Sequence, residues 1–364
     1  MSGSQRHGWM QWHRWAPVCA LVVLVAAWGR SMPGAVALAL GVILAVTVLA
    51  SVHHAEVVAA RVGEPYGSII LAVAVTVLEV GMILMAMSGD QPRPTLARDT
   101  VFSALMITVN GIVGLALFVN AGRSGMAQFR QRSSGSMLAA VATVATLTLV
   151  VPGFTSNAGP TFRPQQLAFI SVAALLLYAL FITTQGATHR DFFLPVDSEG
   201  QLVDEEQHAQ PPTARQARAS LGLLLLSLAT VIGLAKLITP SLEQATSTLG
   251  IPVSFVGVVI ALLILAPETT AAVRAANRDR VQTSMNLAYG SAMASIALTI
   301  PALALATIWL STPLALALDP IHIALLGLTL LVAVLTVVPG RATRLTAGVH
   351  LTIFVAYLLL AAVP

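Results

Sequence analysis

Two carboxylates stand where a carboxylate is costly. Glu79 lies inside the apolar run from Gly67 to Gly89, and Glu268 ends a run that begins near Val253 and is followed by more helix-compatible sequence. An acidic group at the centre of a bilayer costs about 2.5 to 3.5 kcal/mol even on the lenient insertion scale, so such groups face polar cavities and take up cations or protons. One reading makes each Glu a protonated side chain hydrogen-bonded between helices, or an interfacial one. The other makes the two a shared ion site, as expected when both halves of a transporter carry the group at corresponding positions.

The neighbours of these carboxylates supply further oxygens. Pro267 has no N–H and leaves the carbonyl of Leu263 without its helical partner. Hard cations such as calcium gather carboxylate, carbonyl and water oxygens, and a broken helix supplies them at membrane depth. Thr76, one turn before Glu79, offers a hydroxyl, and Gly81 loosens that helix. In the next helix of each half, Ser103 and Asn110 share a face, as do Ser284, Ala288, Ser291 and Ser295. Close packing through small residues and completion of an ion's oxygen shell are both open for these positions. The expected cation- and proton-binding pair is therefore Glu79 and Glu268, with Thr76, Leu263, Ser103, Asn110 and Ser291 as additional ligands. His53 and His54 read as interface residues, Lys236 as reaching the outer surface, and Met82, Met85 and Met87 as gap fillers. His350, within the last span, either joins a proton path or hydrogen-bonds a neighbouring helix.

The elements that must hold these residues follow from composition. The chain is 57% hydrophobic and only 9% charged, far from the charge content of a water-soluble globule. Its apolar runs reach the roughly 20 residues needed to span hydrocarbon as a helix and lack the alternation of a β-barrel. The fold class is an all-α polytopic membrane protein with about eleven transmembrane helices. The runs are approximately Ala16 to Trp28, Pro33 to Val52, Gly67 to Gly89, Thr100 to Val119, Ser136 to Phe154 and Gln165 to Gln185, then Ala219 to Leu237, Val253 to Thr270, Ser284 to Trp309, Ile321 to Val338 and Leu345 to Val363. The first is short and could be a signal peptide, but no convincing cleavage site follows it, which favours retention.

Residues 1–30 hold the extra N-terminal helix, 31–186 a first five-helix repeat, 187–218 an acidic linker and 219–364 a second five-helix repeat. The linker carries Asp191, Asp197, Glu199, Asp204, Glu205 and Glu206 and reads as a flexible connector or a regulatory cation site. Gly63-Glu64-Pro65 precedes Glu79, and Arg98-Asp99 then precedes Ser103. Gly250-Ile251-Pro252, Glu268, Arg278-Asp279 and Ser291 repeat that order. Five spans per half is odd, so the second repeat is inverted. With the N-terminus inside and eleven spans, 14 of the 19 basic residues fall on the cytoplasmic side and 5 on the other. This asymmetry places the N-terminus in the cytoplasm and the C-terminus in the periplasm of a bacterial inner membrane.

Other function classes lack their residues. No basic stripe interleaved with aromatics points to nucleic acid. There is no His-Glu-x-x-His helix, Gly-x-Ser-x-Gly turn or phosphate-binding Gly-rich loop, which argues against an intramembrane enzyme and an ATP-driven pump. A lone Cys19 excludes an internal disulfide and a cysteine metal cage. A passive channel or a structural subunit stays open beside a secondary antiporter. The expected partners are the lipid bilayer and the transported cations and protons, with no cofactor; a homo-oligomer is compatible with the sequence.

At Gly63-Glu64-Pro65-Tyr66-Gly67, Val77-Leu78-Glu79 and Ala266-Pro267-Glu268, and at Asn286-Leu287, Tyr289-Gly290-Ser291 and Thr299-Ile300-Pro301, the chain resembles the bacterial calcium/proton antiporters of the cation exchanger family. The resemblance covers nearly the whole chain. It implies exchange of calcium, with sodium or potassium as further substrates, against protons across the inner membrane, and it carries the paired repeat glutamates onto Glu79 and Glu268. Where the wider superfamily has Gly-Asn before the Glu motif, this chain has Val75-Thr76 and Ile264-Leu265. Two amide oxygens are thereby lost, which is the basis for an alternative expectation of monovalent cation/proton antiport without strong calcium selectivity.

Overall fold

The structure is a computed structural model that describes residues 12–30, 34–63, 66–87, 93–157, 159–185, 212–252, 254–309 and 313–363. Eleven helices run through the described residues. They are α1 (Trp12–Ala27), α2 (Gly34–Val62), α3 (Tyr66–Met87), α4 (Leu96–Ser124), α5 (Gln131–Phe154) and α6 (Pro164–Thr183), then α7 (Ala214–Thr248), α8 (Phe255–Asn277), α9 (Val281–Ala306), α10 (Pro320–Val337) and α11 (Arg344–Ala362). Ten are long and apolar enough to cross a membrane, and α1 is a shorter apolar helix. In hydrocarbon each backbone N–H and C=O must find its partner within the segment, which the helix provides. The acidic part of the linker, from Asp191 to Glu206, lies outside the described residues.

Two expected boundaries move. α2 continues ten residues past Val52 to Val62, because His53, His54 and Glu56 are as acceptable to a helix as the apolar residues before them. α7 continues past Leu237 and through Pro240 to Thr248. The two helices then stop in the same way. Gly63 and Gly250 adopt φ of +79° and +68°, the left-handed conformation that ends a helix at little steric cost for glycine. The repeated Gly-x-Pro is thus a helix stop placed before α3 and before α8.

The chain forms two compact units, one from Met1–Gln91 with Gln207–Val256 and the other from Pro92–Glu206 with Gly257–Pro364. Each takes segments from both halves of the sequence. In the first unit α2 packs against α1, α3 and α7. The ammonium of Lys236 lies 5.8 Å from the centre of the Trp28 ring, a cation–π contact between α7 and the end of α1. Gly81 does not interrupt α3, which is continuous to Met87. A Cβ there would come within 2.4 Å of Ile232 Cδ1, so Gly81 serves close approach to α7 rather than loosening.

The second unit ties its loops together at both ends. At one end Ala315 N–H donates to Pro94 O, Leu316 N–H to Pro160 O and Leu318 N–H to Leu149 O. At the other, β1 (Ala127–Gln128) pairs antiparallel with β2 (Arg341–Ala342), and Asn120 Nδ2 donates to Asp279 Oδ1 at 2.9 Å. Every such tie links loops separated by an even number of helices, the parity that membrane crossing requires. One missed or surplus span between α4 and α11 would break the agreement. The β1–β2 end carries Arg123, Arg130, Arg132, Arg278, Arg280, Arg341 and Arg344, and the opposite end Arg93, Arg98 and Arg163.

α11 lies close on α4 at Gly114, where a Cβ would sit 3.0 Å from His350 Cβ and 3.1 Å from Leu351 Cδ2. Gly348, on α11, has open space where its Cβ would be. Gly114→Val is therefore expected to destabilise the protein by about 1–3 kcal/mol through overpacking. Gly348→Ala is expected to hold or raise stability by up to about 1 kcal/mol through helix propensity. Thermal unfolding of the detergent-solubilised variants measures both, and equal effects of the two would contradict the α4–α11 contact.

Candidate cation and proton site

Glu79 is the fourteenth residue of α3 and Glu268 the fourteenth of α8. Each follows a helix stopped by its Gly-x-Pro turn, so the correspondence seen in sequence is also one of helical depth. Glu79 is the one charged residue of α3 and is 3% exposed. Thr76, three residues earlier and on the same face, is buried with it.

Glu268 is partly buried on α8. The expectation of a broken helix at this point is corrected, since α8 runs unbroken through Pro267 to Asn277. Proline removes one backbone hydrogen bond without forcing a break when neighbouring groups satisfy the chain. Thr269 Oγ1 donates to Leu265 O at 2.7 Å and Thr270 Oγ1 to Pro267 O at 2.8 Å. The carbonyl of Leu263 still lacks an amide donor at position 267, for the chemical reason that made it a candidate.

Two of the expected ligands are already engaged. Ser103 Oγ donates to the carbonyl of Asp99 and therefore accepts from the Tyr357 hydroxyl. Asn110 lies on a π turn, Ile107–Ile112, within α4. Its Nδ2 donates to Thr329 Oγ1 at 2.9 Å, and its Oδ1 is 3.1 Å from His350 Nδ1. His350 Nε2 lies 3.0 Å from Thr336 Oγ1. The Asn110 amide joins α4, α10 and α11 and Ser103 joins α4 to α11, so both hold helices together, and the oxygen of each keeps a further lone pair. Ser284 likewise donates to Ala272 O at 2.7 Å and ties α9 to α8. Ser291 is partly buried on α9, and near it the fully buried Tyr289 hydroxyl has no hydrogen-bond partner. Sequence spacing gave no sign of that hydroxyl's isolation. Among the described residues no group of three or more His, Cys, Asp or Glu is placed to hold a metal ion.

A second titratable group, which the sequence did not single out, collects at the Pro94–Ala315 end of the second unit. Asp99, in the first turn of α4, accepts from Arg98 Nε at 2.8 Å through Oδ1, while Arg98 Nη1 donates to Ala317 O. Asp319 caps the N-terminus of α10. It accepts from the His322 amide at 3.0 Å, and its Oδ2 lies 2.6 Å from His322 Nδ1. Burial works to raise the Asp319 pKa, but the amide, ring and charge of His322, with Arg98, hold it below the usual carboxylate value. The His322 ring packs edge-on against Phe102 and Tyr357.

With this geometry established, known proteins give the setting. The chain is 43% identical over 323 residues to a Sinorhizobium fredii protein, y4hA, that carries a provisional description as an ionic transporter, covering 87% of this chain and 86% of that one. It is 33% identical over 347 residues to the Escherichia coli sodium-potassium/proton antiporter ChaA, covering 94% of each. Among solved structures, the crystal structure of an H+/Ca2+ exchanger, CAX, matches with a TM-score of 0.71 at 14% identity over 98% of this chain and 89% of that one. That likeness supports the polytopic helical fold. The sequence pattern of the sodium/calcium exchanger protein family matches residues 32–187 and 219–363, either side of the linker, and the chain belongs to that family.

Proposed function

We propose that the chain is a secondary antiporter that exchanges a cation, with calcium as the leading substrate, for protons across the bacterial inner membrane. The observation that carries this reading is the placement of Glu79 and Glu268 at the same depth of two corresponding apolar helices. A carboxylate withdrawn from water favours its neutral, protonated form, while a bound cation favours the charged one. Competition between proton and cation for the same carboxylates yields exchange when the site opens alternately to the two sides. Thr76, the Leu263 carbonyl and Ser291 are the neutral oxygens of this proposal. The cycle draws on ion gradients alone, with no enzymatic step and no cofactor.

Monovalent exchange is the second reading. Two observations favour it: the absence of Gly-Asn amides at Val75-Thr76 and Ile264-Leu265, and the sodium-potassium/proton antiporter among the relatives. Fewer oxygens suit an ion of lower charge. The basic loops at the β1–β2 end support a cytoplasmic assignment for that face and a periplasmic C-terminus.

Glu79→Gln and Glu268→Gln each keep size but remove the titrating charge. Each is expected to lower proton-coupled flux in proteoliposomes by about 100-fold or more, the scale set by losing an essential proton-transfer group. Aspartate variants should retain part of the flux only where neighbouring oxygens or water span the missing methylene. Imposed calcium, sodium and potassium gradients rank the substrates in the same assay, with folding checked by size exclusion. Native flux from both glutamine variants would overturn the two-carboxylate mechanism. Reporter fusions at Glu205 and Pro364 are expected to report opposite sides of the membrane, and a common side would contradict the eleven-span inverted plan.

A further inference from the structure

The two Arg-Asp pairs that head α4 and α9 meet different chemistry. Asp279 places Oδ1 2.9 Å from Asn120 Nδ2 and 3.0 Å from Ser124 Oγ, both groups without a titrating proton at physiological pH. Asp99 instead faces His322, whose ring lies 6.3 Å from that of Tyr357, the phenol hydrogen-bonded to Ser103 on the Asp99 carbonyl, and which is paired with Asp319. The sequence makes these aspartates equivalent, and each faces helical residues from the other half of the chain. Only the Asp99 end is built from groups that exchange protons.

Exposure falls along that end, from 43% at the Asp319 side chain to 22% at His322 and 10% at Asp99. Arg98 occupies Asp99 Oδ1 and the Thr95 side chain also reaches the carboxyl, while the enclosed Oδ2 lacks a hydrogen bond of good geometry. A buried carboxylate oxygen without a donor carries an unmet demand for a proton or cation. Arg98 and a charged His322 oppose any added positive charge there, a divalent ion more strongly than a single proton.

We propose that Asp99, His322 and Asp319 form a proton-loading station on the α9–α10 face of the second unit. The assignment rests on the antiporter reading and specifies its proton route. A proton taken from solvent makes His322 an imidazolium held by Asp319. Passing it on to Asp99 Oδ2 restores the neutral imidazole and leaves a neutral carboxylic acid, with no other bond changed. The charged or titratable groups facing the station are Arg98 from the head of α4 and the Tyr357 phenol from α11. The other end, where Asp279 is held by amide and hydroxyl, is a fixed contact.

The test uses the full chain in vesicles of both orientations, with calcium, sodium or potassium exchange followed while acid is applied to one face. His322→Gln and Asp99→Asn are expected to slow proton-driven exchange on the order of tenfold and to move its pH profile when acid is on the α9–α10 face. Acid on the opposite face should give nearly the native response. Asp279→Asn should leave the profile in place. Asp319→Asn keeps the cap of α10 but loses the charge, so a shifted profile supports the station and a native one counts against it. If His322→Gln and Asp99→Asn fail to fold, the Asp319→Asn profile decides the matter. Native profiles in all folded station variants, or the same shift from Asp279→Asn, would overturn the proposal. Failure of the antiporter reading is separate and shows as a wild-type protein that moves no protons.

Discussion

A charge withdrawn from water has to be answered by another charge or by a proton, and this requirement governs the molecule. Hydrocarbon admits an ionised carboxylate only at several kcal/mol, about 2.5 to 3.5 on the lenient scale. Glu79, 3% exposed in an otherwise uncharged helix, cannot be indifferent to what occupies its surroundings. In a chain of the sodium/calcium exchanger protein family, we propose that this intolerance becomes the means of exchange. The ion that neutralises the carboxylate on one side of the membrane is replaced by another that does so on the other.

The remaining architecture keeps such groups where they are. Gly63 and Gly250 end the preceding helices in the left-handed region and so set the starts of α3 and α8. Helix faces come together at small residues such as Gly114. Buried polar groups are spent on one another: Asn110, Thr329, His350 and Thr336 link three helices of the second unit through side-chain hydrogen bonds. A network satisfied in this way adds specificity to the packing of these helices. The π turn under Asn110 widens the backbone where the amide reaches between helices.

Hydropathy made the carboxylates legible, because Glu79 and Glu268 break runs of apolar residues, and repetition made them a pair. Gly-x-Pro was also legible as a repeat, though its use as a helix stop appeared only in the backbone angles. Pro267 was misread as a break because loss of one N–H is visible in sequence, whereas the threonine hydroxyls that occupy nearby carbonyls act through geometry. The far end of α2 was missed because polar residues were taken as the end of a span rather than of an apolar stretch. Asn110 was correctly placed on a polar face, but its partner His350 is 240 residues away and no local pattern joins them. The Asp99–His322 association was hidden for the same reason, as Arg-Asp looks alike in both halves until the opposing loops are folded against it.

The central claim is that cation and proton compete for the same carboxylates, Glu79 and Glu268. Calorimetry of cation binding to the purified protein, repeated in buffers of different ionisation enthalpy, counts the protons released for each ion bound. The account predicts proton release with calcium, or with sodium or potassium where that ion binds, and a fall in apparent cation affinity as pH is lowered. Cation binding that releases no protons and has an affinity independent of pH would contradict it.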